Sequence, residues 1–173
     1  MNETLKTLKE RRSCRKYSDR QVEAAALDAI LEAGTYAPTV MNCQAPVIIA
    51  VQDKETRDKI AKLNAAVMGA ETDPFYGAPT VLVVLADPEI RTYVYDGALV
   101  MGNLMNAAHA VGVDSCYIFR AKEVFATEEG KAMLKAWGIP ERYEGIGNCI
   151  LGYGLEGGKR EASPRKENYI VKV

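Results

Sequence analysis

The sequence has little of the chemistry that builds metal sites or disulfide scaffolds. It contains four cysteines, and no two of them form a Cys-x-x-Cys pair. Structural zinc sites need clustered thiolates and imidazoles, and small secreted scaffolds need paired cysteines. We therefore expect Cys14, Cys43, Cys116 and Cys149 to be reduced thiols, and we expect Cys43 and Cys116 to be small apolar side chains rather than redox groups.

The chain also lacks a strong net charge. Its 22 Lys and Arg residues oppose 23 Asp and Glu residues, which leaves a formal charge of −1. A protein with this net charge has no overall electrostatic field that would attract a nucleic acid or an anionic membrane, so any anion-binding site has to be local. Residues 1–12 are charged and contain no apolar run, which argues against a secretory signal. The sequence predicts a cytoplasmic protein with neither a nucleic-acid partner nor a membrane partner.

The overall composition is that of a globular domain. Apolar residues make up 48% of the 173 residues and charged residues 26%. A chain of this length can bury about 70% of the surface that its unfolded form exposes. We expect one domain over residues 1–173.

An unusually apolar stretch, residues 96–113, lies in the middle of the chain. Asp96 can cap it as a helix and Gly112 can close it in the left-handed conformation. A helix that is apolar all round must be buried on all sides, and this one is too short and too rich in Asn, His and Gly to span a membrane. It is either a central core helix or a core helix that also forms the seam of a dimer. We expect His109 to be a core residue.

Shorter periodic segments surround this helix. They predict helices over residues 2–10, 21–33, 54–68 and 122–137, with Leu5 and Leu8 of the first helix facing inward. Ser18 or Asp19 would cap the second helix and Gly34 would end it, and Asp53 would cap the third. Apolar runs predict strands over residues 47–51, 80–86, 114–119 and 147–153, with a fifth candidate over 168–173. Phe75 and Tyr76 are candidate lid aromatics in the loop before residue 80.

A basic segment follows the first helix. Arg11, Arg12, Arg15 and Lys16 flank the hydroxyl of Ser13. This segment is either a solvated basic face or a phosphate clamp. Guanidinium groups form paired, charge-assisted hydrogen bonds to phosphate oxygens, and a hydroxyl adds one more donor.

Residues 37–46 are too interrupted by proline for a helix and too polar for a core strand. Asn42 and Gln44 each carry two donors and an acceptor, which suits recognition of the edge of a heterocycle. The alternative is a plain connecting loop. Near the C-terminus, a second basic pair, Arg165 and Lys166, follows Pro164.

One apparent nucleotide motif does not hold. Residues 152–157 satisfy G-x-G-x-x-G after a strand. The dinucleotide fingerprint also needs a helix directly afterwards and an acidic residue about 20 positions further on. The residues that follow directly, 158–164, begin with glycine and end with proline and give no helical pattern, and the chain ends before the acidic position. We therefore interpret the segment as a glycine-rich turn.

The Arg-Arg-Ser-Cys-Arg segment, the Pro-Thr-x-x-Asn-x-Gln loop, the apolar central helix and the terminal Pro-Arg-Lys occur together in one family. In these motifs and their order, the chain resembles the FMN-dependent nitroreductase family over essentially its whole length. The resemblance implies an α+β fold with a mixed, mostly antiparallel sheet wrapped by helices. It also implies an intimate homodimer, with FMN at the subunit interface and a terminal extension that crosses to the partner.

The resemblance also assigns roles to residues. It implies that Arg11, Ser13 and Arg15 hold the flavin phosphate together with Arg165 or Lys166. Asn64 would face the isoalloxazine ring, and the backbone from Ile118 to Arg120 would reach its pyrimidine side. Pro38, Thr39 and Asn42 would come from the other subunit. The implied cofactor-binding set is Arg11, Arg12, Ser13, Arg15, Pro38, Thr39, Asn42, Gln44, Asn64, Ile118, Phe119, Arg120, Arg165 and Lys166.

The implied activity is transfer of reducing equivalents from NADH or NADPH, through FMN, to a small organic acceptor by a ping-pong mechanism. The acceptor would be a nitroaromatic, a quinone, an enone or free flavin. The chain departs from the family pattern in lacking an aromatic residue after Gln44 and the long helical insertion of larger members. Two other interpretations stay open, namely a flavin carrier or sensor without turnover, and a purely structural dimer.

Overall fold

An antiparallel sheet of four strands forms the centre of the fold. A computed structural model describes residues 2–173 of the chain. The strands lie in the order β1-β2-β4-β3, and every neighbouring pair is antiparallel. They are β1 (Pro46–Val51), β2 (Thr80–Ala86), β3 (Asp114–Ile118) and β4 (Glu144–Gly152). The α+β prediction and its four strands are confirmed.

Helices cover both faces of the sheet. All seven residues of β2 are buried, and alternate side chains point to opposite faces, as the pleat of a strand requires. The helices are α1 (Glu3–Glu10), α2 (Ala24–Thr35), α3 (Lys54–Met68), α4 (Tyr93–Ala110), α5 (Ala121–Ala126) and α6 (Glu128–Ala136). One apolar core lies between the sheet and α3, α5 and α6, and the other between the sheet and α2 and α4. Within residues 2–173, no helix combines the length and the apolar character needed to cross a bilayer.

The central helix α4 begins one turn earlier than predicted. Its N-cap is Thr92, so the prediction that Asp96 caps it is wrong. The Asp96 carboxylate instead accepts hydrogen bonds from the Val40 N–H at 3.3 Å and from the Thr92 hydroxyl at 3.2 Å. Asp96 therefore ties the 38–44 loop to α4. Gly112 does follow the helix in the left-handed conformation, with φ of 76°.

One face of α4 is open to solvent in the single chain. Met101 and Leu104 are fully buried, whereas Val94, Tyr95 and Leu99 are 47%, 72% and 48% exposed. The prediction that α4 is buried on all sides is therefore wrong for one chain. We call Val94, Tyr95 and Leu99 the exposed α4 face. His109, expected in the core, is only half-buried in the last turn of the same helix.

Helix α1 also presents apolar residues to solvent. Asn2 caps it by accepting a hydrogen bond from the Thr4 N–H at 2.8 Å. Leu5 and Leu8 are each 53% exposed, so the prediction that they face inward is wrong. The helix lies against α4 and buries no residue of its own.

Helix α2 begins later and ends later than predicted. The side chain of Gln21 accepts from the Val22 N–H and donates to the Gln52 carbonyl, and the helix starts only at Ala24, so neither Ser18 nor Asp19 caps it. Gly34 does not end the helix but lies within it. A Cβ there would come within 2.6 Å of the Leu104 side chain, so glycine permits the close packing of α2 on α4.

Two other elements differ from the sequence prediction. The helix expected over 122–137 is two helices, because Thr127 is extended and caps α6 by accepting from the Gly130 N–H at 3.0 Å. The fifth strand expected over 168–173 is absent from residues 2–173, where nothing pairs with that segment. By contrast, α3 follows the prediction, capped by Asp53 and closed by the left-handed Gly69.

The loop between α3 and β2 is held in place by buried contacts and hydrogen bonds, so it is not a mobile lid. Phe75 is fully buried in the core, so its assignment as a lid aromatic is wrong, while Tyr76 is partly exposed. The buried Arg57 holds the loop twice, donating from Nε to the Ala78 carbonyl at 2.9 Å and from Nη2 to Asp73 at 2.6 Å.

Candidate functional site

Five arginines line one cleft at the surface. We call it the arginine cleft, and its volume is about 250 Å³. It is lined by Arg11, Arg12, Ser13, Arg15, Arg160, Glu161, Ala162, Ser163 and Arg165. Because only one acidic side chain faces five guanidinium groups, the cleft is strongly positive in a protein whose net charge is −1.

Backbone pairing brings the two distant parts of this cleft together. The segment after α1 lies beside β3, where the Cys14 N–H donates to the Ser115 carbonyl at 3.0 Å. On its other side, the Arg15 N–H donates to the Gly158 carbonyl at 2.8 Å. A Cβ at Gly158 would lie 2.8 Å from the Lys16 carbonyl oxygen, so only glycine permits this approach.

Arg11 has a buried guanidinium nitrogen, Nη1, that no acceptor contacts in the described part of the chain. A buried charged donor without an acceptor is costly, so an anion that reaches Nη1 would be strongly favoured. Arg12 is different, because its Nη1 donates to the carbonyls of Lys9 at 2.7 Å and of its neighbour Arg11 at 2.6 Å. Arg12 therefore closes the C-terminal end of α1.

A second group of predicted residues meets where β3 ends. Asn64 of α3 is fully buried, and its Nδ2 donates to the Phe119 carbonyl at 2.9 Å. Its Oδ1 accepts from Arg120 Nε at 3.0 Å. The Ile118 carbonyl is held in the same way, by Nδ2 of Asn148 at 3.3 Å. Two buried amides from different elements thus fix the backbone that leaves β3.

The 38–44 loop is conformationally unusual. Met41, Asn42 and Gln44 all have left-handed φ angles, of 46°, 57° and 50°. The loop is held by the Gln44 N–H donating to Thr39 Oγ1 at 3.1 Å and by Gln44 Nε2 donating to Asn42 Oδ1 at 3.0 Å. Strained backbone persists only where the surrounding structure requires it and is frequent at functional sites.

The structure thus places the predicted residues in three groups. Arg11, Arg12, Ser13, Arg15 and Arg165 share the arginine cleft. Asn64 and residues 118–120 meet at the end of β3. Thr39 and Gln44 line a different cavity, of about 390 Å³, between α2, β1 and α4, while Pro38 and Asn42 belong to the same loop. Lys166 does not line the arginine cleft, and its ammonium lies 5.5 Å from the ring centre of Tyr169.

Sequence reasoning missed two residues of these groups. Arg160 follows the glycine-rich turn of residues 152–157, and nothing in the neighbouring sequence indicates that it faces residues 11–15. Asn148 could have been predicted, because an amide side chain in the apolar run of a central strand needs a hydrogen-bond partner.

Comparison with known proteins identifies the family. Residues 8–154 match the model of the Nitroreductase family. The chain belongs to that family.

Relatives and solved structures agree with this assignment. A protein of Archaeoglobus fulgidus, named provisionally as an NADH dehydrogenase/NAD(P)H nitroreductase, is 33% identical over 159 residues, which is 88% of this chain and 86% of its own length. The crystal structure of a nitroreductase with bound FMN from Bacteroides fragilis has a TM-score of 0.91 at 30% identity and covers both chains completely. A second nitroreductase with bound FMN, from Desulfitobacterium hafniense, has a TM-score of 0.88 at 29% identity, over 100% of this chain and 99% of that one.

The thiols of this nitroreductase-family protein differ sharply in accessibility. Cys43 is exposed, whereas Cys14, Cys116 and Cys149 are buried. Burial raises the pKa of the Cys149 thiol to about 12 and also raises the pKa of Cys14. A buried thiol with a raised pKa stays protonated near neutral pH and is a poor nucleophile.

We therefore expect a thiol reagent at pH 8 to modify one cysteine per chain in the native, FMN-free protein and all four in denaturant. Peptide mapping should place the native modification at Cys43. Rapid native modification of Cys14, Cys116 or Cys149 would show that this part of the core opens.

Proposed function

We propose that this protein is an FMN-dependent oxidoreductase that passes reducing equivalents from NADH or NADPH to a small organic acceptor. The observation that carries the proposal is the arginine cleft with the buried, unpaired Nη1 of Arg11. The solved relatives with bound FMN support the choice of ligand. A Bacillus subtilis protein named FMN reductase (NAD(P)H) adds support over a shorter stretch, being 46% identical over 63 residues, which is 36% of this chain and 25% of its own length.

The cleft fits the phosphate group of FMN. A phosphate monoester carries nearly two negative charges and three strong acceptor oxygens. Arg11, Arg15 and Arg165 offer guanidinium donors and Ser13 a hydroxyl, so several charge-assisted hydrogen bonds are available at once. Arg160 joins this set by its place in the lining, whereas Lys166 does not.

The flavin ring would lie against the end of β3. Asn64 and the backbone of residues 118–120 form a fixed surface there, since the Ile118 and Phe119 carbonyl groups accept hydrogen bonds from buried amides. In a single chain the 38–44 loop lines a different cavity from the arginine cleft. We therefore infer that Pro38, Thr39, Asn42 and Gln44 reach the ring of the partner subunit's FMN.

This arrangement requires a homodimer. The exposed α4 face and the outward Leu5 and Leu8 of α1 give apolar surface for such an interface. Contiguous exposed apolar residues on a folded domain mark an interaction site.

FMN supplies the hydride chemistry when it is bound. The chain's own contribution is to hold the phosphate and to orient the ring against the end of β3. Each bound flavin would have one substrate-binding site beside it, so the nicotinamide and the acceptor would occupy that site in turn.

Steady-state kinetics of the FMN-loaded protein test the proposal. NADH or NADPH oxidation should depend on an added acceptor, for which a nitroaromatic, a quinone, an enone and free FMN are tried separately. Initial-rate plots at several acceptor concentrations should be parallel, because the two substrates alternate at one site. Tight FMN binding without turnover would indicate a carrier or sensor, and protein that takes up no FMN would contradict the cofactor assignment.

A further inference from the structure

Arg120 occupies a backbone conformation that favours glycine. Its φ is 77° and its ψ is 11°, just before α5 begins. A residue with a Cβ pays a steric penalty in this region, and among non-glycine residues it is mostly Asn and Asp that tolerate it. An arginine is kept there at a cost in stability, so its side chain is expected to contribute something that glycine cannot.

The side chain of Arg120 is held in a defined position. Its Nε donates to Oδ1 of the buried Asn64 at 3.0 Å, and its guanidinium lies 5.2 Å from the ring centre of Phe119. Asn64 in turn donates to the Phe119 carbonyl, which closes a small cycle of contacts at the end of β3. The cation is therefore fixed beside the surface proposed for the flavin ring.

Arg120 is also the one charged side chain among the residues assigned to the ring. The others are Pro38, Thr39, Asn42, Gln44, Asn64, Ile118 and Phe119, all of them uncharged. Of the remaining assigned cations, Arg11, Arg12, Arg15 and Arg165 line the arginine cleft and Lys166 lies outside it.

We propose that Arg120 stabilises the reduced flavin electrostatically and so raises the two-electron midpoint potential of the bound cofactor. This inference rests on the proposed function. Transfer of an electron pair and a proton from the nicotinamide leaves the flavin ring with one added negative charge. A guanidinium keeps its positive charge at any working pH, and charge near the flavin ring tunes its potential.

Substitution of Arg120 by glycine removes the charge without adding strain to the backbone. Arg120→Gly removes the cation and suits a φ of 77°, but it also takes the Nε donor from Oδ1 of the buried Asn64, so the two effects on stability oppose each other and the apoprotein should stay folded with a stability close to that of the wild type. Arg120→Lys keeps the charge and the backbone strain but loses the Nε contact with Asn64. Arg91→Gln removes one exposed positive charge from the turn before α4 and serves as the control for net charge.

The measurements are the affinity for FMN in its oxidised and reduced states, the midpoint potential from a spectroscopic titration, and the thermal midpoint of each apoprotein. We expect Arg120→Gly to weaken the binding of reduced FMN at least tenfold more than that of oxidised FMN. A tenfold difference lowers the two-electron potential by about 30 mV. Arg120→Lys should keep most of the wild-type potential, and Arg91→Gln all of it.

Other outcomes would overturn the proposal. If folded Arg120→Gly loses affinity for both states by the same factor, or keeps the wild-type potential, the charge of Arg120 does not act on the ring. If Arg120→Lys behaves like Arg120→Gly, the contact with Asn64 matters and the charge does not. A wild-type protein that binds no FMN would instead contradict the proposed function, which makes the two failures distinguishable.

Discussion

Replacing Arg11 and Arg15 together with alanine is expected to give folded protein that binds FMN at least a hundredfold more weakly. Both residues line the arginine cleft, and neither supports the hydrophobic core. A hydrogen bond to a charged group contributes about 1.5–3 kcal/mol, so the loss of two guanidinium groups removes about 3 kcal/mol or more. Arg11 should dominate, since its buried Nη1 has no other partner in the described part of the chain.

Fluorescence titration with FMN and with riboflavin measures this effect. Riboflavin has no phosphate, so its affinity should be nearly the same for the double variant and the wild type. Lys59→Ala combined with Lys135→Ala removes two exposed positive charges from other helices and controls for net charge. Unchanged FMN affinity in the folded double variant would contradict the phosphate assignment.

The sequence predicted the structure well where an element depends on residues close together in the chain. The apolar run of β2 and the Asp53 cap of α3 were predicted correctly, because each depends on neighbours a few positions away. The start of α4 was not, since Asp96 is a good cap by type but is used here to hold the Val40 N–H. A tertiary contact overrode a local preference.

In the candidate site, too, the residues that are adjacent in sequence could be predicted and the residue brought in by tertiary structure could not. Residues 11–15 could be singled out because several cations flank one serine. Arg160 could not, because it reaches the cleft only through pairing of the post-β4 segment with residues 14–18. The outward orientation of Leu5 and Leu8 was equally inaccessible, since the amphipathic pattern indicates that a face is apolar without indicating which chain covers it.

Leu99→Glu on the exposed α4 face is expected to convert a dimer into a monomer. Leu99 lies on the exposed α4 face with Val94 and Tyr95, so in one chain a glutamate there would remain in water and the fold should be retained. In a dimer that packs on this face, the carboxylate would be desolvated without a partner, which costs several kcal/mol. The variant should therefore fold but sediment as a monomer at micromolar concentration.

The Leu99→Glu monomer should also bind FMN poorly, because the 38–44 loop would no longer reach the ring held by the partner subunit. The control is Val67→Glu, which places the same charge at another partly exposed apolar residue, on α3, and should leave both the dimer and FMN binding intact. Sedimentation velocity with flavin absorbance detection reports mass and cofactor together. A wild-type protein that is monomeric and still binds FMN tightly would show that the site is complete in one chain, and would place the function of the 38–44 loop elsewhere.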